Sequence, residues 1–442
     1  MDRRSFIGKA VAAGAITTLG VTTLASCKKE LDNETLGLPP LLDRAPDGKK
    51  LKAGLIGCGN RGTGAALNFI AAGADLEIAA LADVFEDKVK DCRQKLANAK
   101  VEVPLENCFS GFDSYKKLLE KDIDVVLLAT PPHFRPEHLK AAVEAKKHIF
   151  MEKPACVDPV GARSVMATSR KAASLGLTII TGTQRRHQRD YIETYKHVSN
   201  GAIGELVSAR ARWMQSHVWF RTREDRWDDM EYMLRNWNNF CWLCGDHFLD
   251  THVHNIDVIN WFVGSNPVSA VGFGGRHRRL TGDQWDFFNV DFDFGNGFHS
   301  QSTTRQIDGC ENGIGEMIMG TEGYTNCENT IYNLDGSVKW EYKYPLNENG
   351  VSKGVVKVSP YVQEHIHLVT AIRTNKPVQE AEQTAISTLT AIMGRISAYT
   401  GKKTSWEEMM NSTLKLGPAE YHLGDCDMEQ YLTPVPGLQH KA

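Results

Sequence analysis

The feature that most narrows the fold is a glycine-rich turn between an apolar run and a helix-like run. Residues 51–57 (LKAGLIG) lead into Gly57-Cys58-Gly59-Asn60-Arg61-Gly62, and residues 63–70 continue with helical character. A GxGxxG string alone is weak. Between a strand and a helix it acquires a mechanism: the first glycine permits a tight turn, and the second lets a phosphate approach the backbone. The third allows helix and strand to pack, while the helix N-terminus supplies positive potential. A second apolar run, residues 76–82, ends at Asp83, 21 residues beyond Gly62. A carboxylate there accepts hydrogen bonds from adenosine ribose hydroxyls and repels a 2′-phosphate, which favours NAD over NADP. Arg61 pulls slightly the other way. Gly57, Gly59, Asn60, Arg61, Gly62 and Asp83 are therefore the first candidate cofactor-binding residues.

The alternation continues downstream. Residues 112–121 read as helix, 123–129 as a buried strand, 137–145 as helix, 148–151 as strand, 158–174 as helix and 177–181 as strand. Strands alternating with helices predict a parallel sheet with right-handed crossovers. Ligands of such sheets bind beyond the carboxyl ends of the strands. Two segments fall there, Thr130-Pro131-Pro132-His133 and Glu152-Lys153-Pro154. Thr130, Pro131, His133, Glu152 and Lys153 join the cofactor-binding set.

The chain has 442 residues, more than one core usually organises, so two domains are expected. A net charge of −3 leaves no footprint for nucleic acid. The N-terminus is different in kind. Arg3, Arg4 and Lys9 precede an apolar, small-residue stretch, Arg3-Arg4-Ser5-Phe6-Ile7 resembles a twin-arginine export signal, and Leu24-Ala25-Ser26-Cys27 resembles a lipobox. We expect residues 1–27 to be a signal, 28–50 a linker, 51–184 the dinucleotide domain, 185–416 a substrate domain and 417–442 a tail. The expected protein is exported, periplasmic or membrane-anchored, and held to the membrane only through lipid on Cys27. The nine other cysteines have irregular spacing; Cys241-Trp-Leu-Cys244 is a lone CxxC, and no metal site is expected.

With the phosphate loop, Asp83, residues 130–133 and the Glu152-Lys153-Pro154 triplet in view, the sequence resembles the glucose-fructose oxidoreductase/inositol dehydrogenase family. Ile203-Gly204-Glu205-Leu206, the stretch Gly245 to Asp257 (GDHFLDTHVHNID) and residues 394–401 extend the likeness over about residues 51–412. The resemblance implies an α/β fold, a Rossmann domain followed by an α+β domain on an open, mostly antiparallel sheet, with the active site between them. It implies Lys153, Asp250 and His254 as the catalytic group. Gly245-Asp246 stands where relatives carry a glycine pair, His252 where they carry a small residue, and Thr183-Gln184-Arg185-Arg186 where many carry Asn. These departures bear on the substrate rather than the chemistry.

The trio is also chemically coherent. Moving hydride from a carbinol carbon to NAD requires a base for the hydroxyl proton, and histidine is suited to it. An ammonium beside the same oxygen stabilises developing alkoxide. Asp250 and His254 are four apart, so on one helix they would share a face. Five tryptophans (Trp213, Trp219, Trp227, Trp237, Trp242) interleaved with arginines suit either sugar stacking or an insertion pinned by aromatics. Arg186, Trp219, Trp237, His252 and His254 are the expected substrate contacts. Arg276-His277-Arg278-Arg279 reads as a solvated loop, residues 285–305 as a hairpin, and about 360–374 and 379–400 as helices. The tail is expected to wrap the surface or reach a neighbouring subunit of a homo-oligomer. The leading expectation is an NAD-dependent oxidoreductase acting on a carbohydrate hydroxyl, plausibly C3 of a glycoside, with a retained and recycled cofactor. Two alternatives are an NAD-dependent glycosidase working by transient oxidation and elimination, and a non-catalytic sugar-binding module.

Overall fold

The computed structural model describes residues 31–344 and 358–437, so the signal expected at residues 1–27 lies outside the described residues. The first sheet contains β1 (Leu51–Ile56), β2 (Leu76–Asp83), β3 (Cys108–Ser110), β4 (Val125–Leu128), β5 (His148–Met151) and β6 (Ile179–Thr181). Its order is β3-β2-β1-β4-β5-β6, with every pair parallel. Helices on both faces explain why β4 (VVLL) is buried at every position. The strand order reverses beside β1, which opens a crevice at the carboxyl ends of β1 and β4.

Among the described residues the second sheet has nine strands: β7 (Leu206–Gln215), β8 (Ser269–Gly275), β9 (Phe287–Asp293), β10 (His299–Gln306), β11 (Gly313–Gly320), β12 (Tyr324–Thr325), β13 (Thr330–Tyr332), β14 (Val338–Glu341) and β15 (Thr404–Ser405). They lie in the order β14-β13-β12-β11-β7-β10-β9-β8-β15. All pairs are antiparallel except β7 with β10. The expected hairpin is β9 paired with β10. Along β9 burial alternates, so Phe288, Val290 and Phe292 face the helices while Asn289 and Asp291 face away.

The helix Ala381–Thr400 joins the halves, packing on both β8 and the helix Pro159–Ser174. Thr388 Oγ1 accepts from the Ala155 amide at 3.1 Å, just after the Glu152-Lys153-Pro154 triplet. Arg395, 2% exposed, donates to the carbonyls of Gly245 at 2.9 Å and Val157 at 3.0 Å. One helix thus fixes the segments that follow Lys153 and precede Asp250.

Several elements differ from expectation. Within the expected linker, Ala45 is buried, and carbonyls of residues 41–49 accept hydrogen bonds from Arg189, Gln363 and Arg373. These residues run along the folded body because their backbone is held there. Arg279 of the basic loop is buried, donating to Gln306 Oε1 at 2.7 Å and to the Trp285 carbonyl at 2.7 Å. The described part of the tail lies across this same chain, against both domains.

Candidate active site

The phosphate loop has the geometry that its glycines imply. Gly57 adopts φ +98°, and a Cβ there would lie 2.6 Å from the Ala129 carbonyl carbon. A Cβ on Gly62 would lie 1.8 Å from the Gly57 carbonyl oxygen. Gly59 is different: a Cβ there would meet nothing within 4 Å, because it faces open space at the N-terminus of the helix Asn60–Ala71. No side chain caps that helix, so its amides are free for a diphosphate. These three environments fit a dinucleotide. Asn60 is exposed beside the opening.

Asp83 ends β2 as expected. Its Oδ2 accepts from the Cys58 amide at 2.7 Å and its Oδ1 from the Phe85 amide at 3.0 Å. Burial pushes its carboxyl above the usual range, and these two amides oppose that shift. A carboxylate has lone pairs beyond the two used, so ribose hydroxyls can still bind. Arg61 turns inward. It pairs with the buried Glu152 and approaches Glu364 at 3.5 Å, with its guanidinium over the Tyr361 ring at 4.9 Å. That commitment removes the arginine which sequence allowed for a 2′-phosphate, and it gives Glu152 a pairing role beside the cofactor loop.

Thr130 is buried, with its hydroxyl 3.3 Å from His138 Nδ1, and Pro131 is half-buried beside it. His133 follows on the short turn Pro132–Phe134, where its Nε2 lies 2.7 Å from the Tyr421 hydroxyl.

The three expected catalytic groups converge from the two domains. Lys153 follows β5, and its Nζ donates to the Asp250 carbonyl at 2.5 Å. His254 is buried near the start of the helix Val253–Val263, its ring stacked on Trp213 of β7 at 5.8 Å. Burial, reinforced by the charges of Lys153, Arg185 and Arg61, holds His254 well below the usual histidine range, so the imidazole is neutral and able to accept a proton. Half-buried Asp250 has no hydrogen-bond partner for its carboxylate among the described residues. Asp250 and His254 do not share one helix. The helix His247–Asp250 ends, and a new one starts at Val253. The chain enters this bend through two left-handed residues, Gly245 at φ +83° and Asp246 at φ +73°. Asp246 is stabilised there because its carboxylate accepts from the His247 amide at 2.5 Å, the Trp285 amide at 3.0 Å and the Tyr399 hydroxyl.

Of the expected substrate contacts, Arg186 and His252 sit elsewhere. Arg186 grips Asp257 with two bonds of 2.8 and 3.0 Å, joining the segment after β6 to the second domain. His252 is fully buried, with Nε2 3.2 Å from Ser302 Oγ of β10, so it faces the sheet. Trp219 and Trp237 are half-buried and meet edge to face at 6.1 Å. The Trp219 carbonyl accepts from Asn239 at 3.0 Å, which supports the reading that these rings pin an insertion. Burial pushes the thiols of Cys241 and Cys244 up, leaving them as protonated core groups. Sequence reasoning did not assign Trp213 or Arg185. Arg185 pairs with the buried Glu316 and lies over Trp213 at 5.6 Å, bracing the ring behind His254. Its place beside Arg186 was the available signal.

Residues 51–180 match the family described as "Oxidoreductase family, NAD-binding Rossmann fold", and residues 191–325 match the "GFO/IDH/MocA C-terminal domain". The chain belongs to the GFO/IDH/MocA oxidoreductase family and carries its NAD-binding domain. It is 25% identical over 214 residues to myo-inositol 2-dehydrogenase of Thermotoga maritima, covering 48% of this chain and 55% of that protein. It is 29% identical over 162 residues to D-glucoside 3-dehydrogenase of Escherichia coli (strain K12), covering 37% and 43% respectively. The aligned segments thus span about half the length of these relatives. The fold is similar to that of scyllo-inositol dehydrogenase from Lactobacillus casei, solved with bound NAD(H) and scyllo-inositol. That likeness has a TM-score of 0.60 at 19% identity, covering 81% of this chain and 99% of that one.

Proposed function

We propose that this protein is an NAD-dependent oxidoreductase that oxidises a ring hydroxyl of a carbohydrate, with C3 of a glycoside as the favoured position. The observation that carries this is the approach of Lys153, whose Nζ donates to the Asp250 main-chain carbonyl, to neutral His254, whose ring feels the Lys153 charge. The likeness to D-glucoside 3-dehydrogenase supports the choice of position. When bound, NAD accepts hydride from the carbinol carbon. The Lys153 ammonium donates a hydrogen bond to the substrate oxygen and stabilises its charge as the proton leaves. His254 takes that proton at a ring nitrogen, and Asp250 orients the sugar by accepting from a neighbouring hydroxyl. Lys153, Asp250 and His254 are the proposed catalytic residues; Trp213 and Arg185 position His254.

The test supplies purified protein with NAD and a set of glycosides, including one with a chromogenic aglycone. The expected product is a keto sugar with the aglycone attached and reduced nicotinamide in equal amount. Aglycone release without net reduction would replace this reading by elimination-type glycosidase action. Neither product from any glycoside would leave a binding module.

We further propose that the protein is exported and anchored by lipid on Cys27, from the lipobox that ends an apolar N-terminal stretch. Fractionated cells should hold the wild type with membranes and a Cys27→Ser variant in the soluble fraction. Wild-type protein recovered wholly soluble, with an unmodified N-terminus, contradicts the anchor.

A further inference from the structure

Residues 417–437 have little regular structure, yet they are tied down along their length. The Leu416 amide donates to Asp158 Oδ2 at 2.9 Å, the Met230 amide to the Gly424 carbonyl at 3.1 Å, and the Cys426 amide to Asp229 Oδ2 at 3.1 Å. Farther along, Trp285 Nε1 donates to the Pro434 carbonyl at 3.1 Å. The contacts run from the Rossmann half across the insertion to the second domain.

Tyr421 lies in the middle of this path. Its ring stacks on Phe112 at 5.9 Å and meets Phe134 at 5.3 Å, while its hydroxyl bonds His133 Nε2 at 2.7 Å. Phe112 and His133 belong to the loops that follow β3 and β4. Asp83, at the end of β2, is adjacent: the Gly111 amide donates to its carbonyl at 3.1 Å. Tyr421 therefore spans two loops around the carboxylate that receives the adenosine ribose. Gly417, at φ +95°, lets the chain close down on His133, since a Cβ there would lie 2.6 Å from its Cε1.

The other nitrogen of His133 is left over. Nδ1 is buried and has no hydrogen-bond partner among the described residues. Burial pushes the Tyr421 hydroxyl up to about 12 and His133 down to about 4, so at neutral pH a protonated phenol faces a neutral imidazole. Either group can donate across that bond, so Nδ1 is left either as an unpaired N–H or as an unpaired acceptor. A buried polar nitrogen without a partner is costly unless something arrives to pair with it.

We propose that residues 417–433 are a cofactor strap. Tyr421 holds His133 so that Nδ1 hydrogen-bonds the adenosine half of bound NAD, and the strap must lift before the dinucleotide leaves. This rests on the NAD-binding reading of the Rossmann half. It gives a structural basis for a retained, recycled cofactor.

Full-length wild type, Tyr421→Phe, Tyr421→Ala and, as a control outside the strap, Leu334→Ala are loaded with adenine-labelled NAD and chased with unlabelled NAD. Leu334 is exposed, so its variant should release label at the wild-type rate. Tyr421→Phe loses one hydrogen bond and should release about tenfold faster; Tyr421→Ala also loses the ring and should release roughly 10–100-fold faster. Nicotinamide mononucleotide, which lacks the adenosine half, should bind all four proteins alike. Equal release of NAD from wild type and both Tyr421 variants overturns the strap. A change in mononucleotide binding that matches the change in NAD release also overturns it, by making the effect general. Should Tyr421→Ala fail to fold, Tyr421→Phe decides. Wild type that binds no NAD at all removes the cofactor reading itself, a different result from equal release.

Discussion

His254 is a weaker base than free histidine because burial and the charges of Lys153, Arg185 and Arg61 favour its neutral form. The active form is the unprotonated one, so activity persists down to the lowered pKa and is lost only below it. The acid limb of kcat/KM should lie well below the ordinary histidine value of about 6.5. A limb centred at 6.5 or higher would separate this ring from the rate-determining proton transfer. The roles of Lys153 and His254 can be tested together. Lys153→Ala removes a preorganised donor and should cost about 10²–10³ in turnover. His254→Ala removes the base and should cost about 10²–10⁴. Both variants should still retain NAD, because the proposed cofactor-holding groups at Gly57–Gly62 and Asp83 are unchanged. NAD reduction on adding glycoside is read at the absorbance of the reduced nicotinamide, with bound nucleotide counted separately. Near-wild-type rates in both would move the active site elsewhere.

Individual elements show what sequence can and cannot convey. The parallel strands are buried on both faces and read as continuous apolar runs, and the glycines mark the turn after β1 in the sequence itself. β9 and β10 announced themselves by alternation around Gly295-Asn296-Gly297. β12 to β14 are only two to four residues long, too short to show a period. The spacing of Asp250 and His254 suggested one helix, but periodicity does not register the break between Asp250 and Val253. The pairing of Arg186 is hidden from sequence for a similar reason. Its partner Asp257 is 71 residues away, and only the folded chain brings them together. The pair is largely buried, with side chains 12% and 2% exposed. Arg186→Ala leaves the Asp257 carboxylate without its ion pair and should destabilise the protein by about 3–5 kcal/mol. Urea unfolding should show the loss in midpoint, while KM for the sugar stays close to wild type. A raised KM at unchanged stability would restore Arg186 to the substrate site.

For the whole molecule, the site exists only because two domains meet, and both halves bury histidine. His138 and His252 are both held down to about 3, chiefly by burial. His247, His254, His365 and His367 are shifted in the same direction. The folded state keeps these rings neutral, whereas the unfolded chain protonates them below about 6.5. Their contribution to stability is therefore complete above pH 6.5 and is lost progressively as pH falls toward their folded-state values. Asp283 acts in the opposite sense: burial raises it to about 7, so its protonation stabilises the fold between that value and the ordinary carboxylate range. Six histidines outweigh that carboxyl, and urea stability should decline from pH 6.5 to 4.5. The share of one ring can be isolated. His252 makes its hydrogen bond to Ser302 inside the sheet layer and is fully buried, so His252→Leu removes a titrating group without exposing it to solvent. The pH dependence of unfolding free energy over that interval should then be shallower by about 1.4 kcal/mol per pH unit than in the wild type. An unchanged slope would mean that His252 takes up its proton as readily in the folded protein as in the unfolded chain, which would overturn the burial argument.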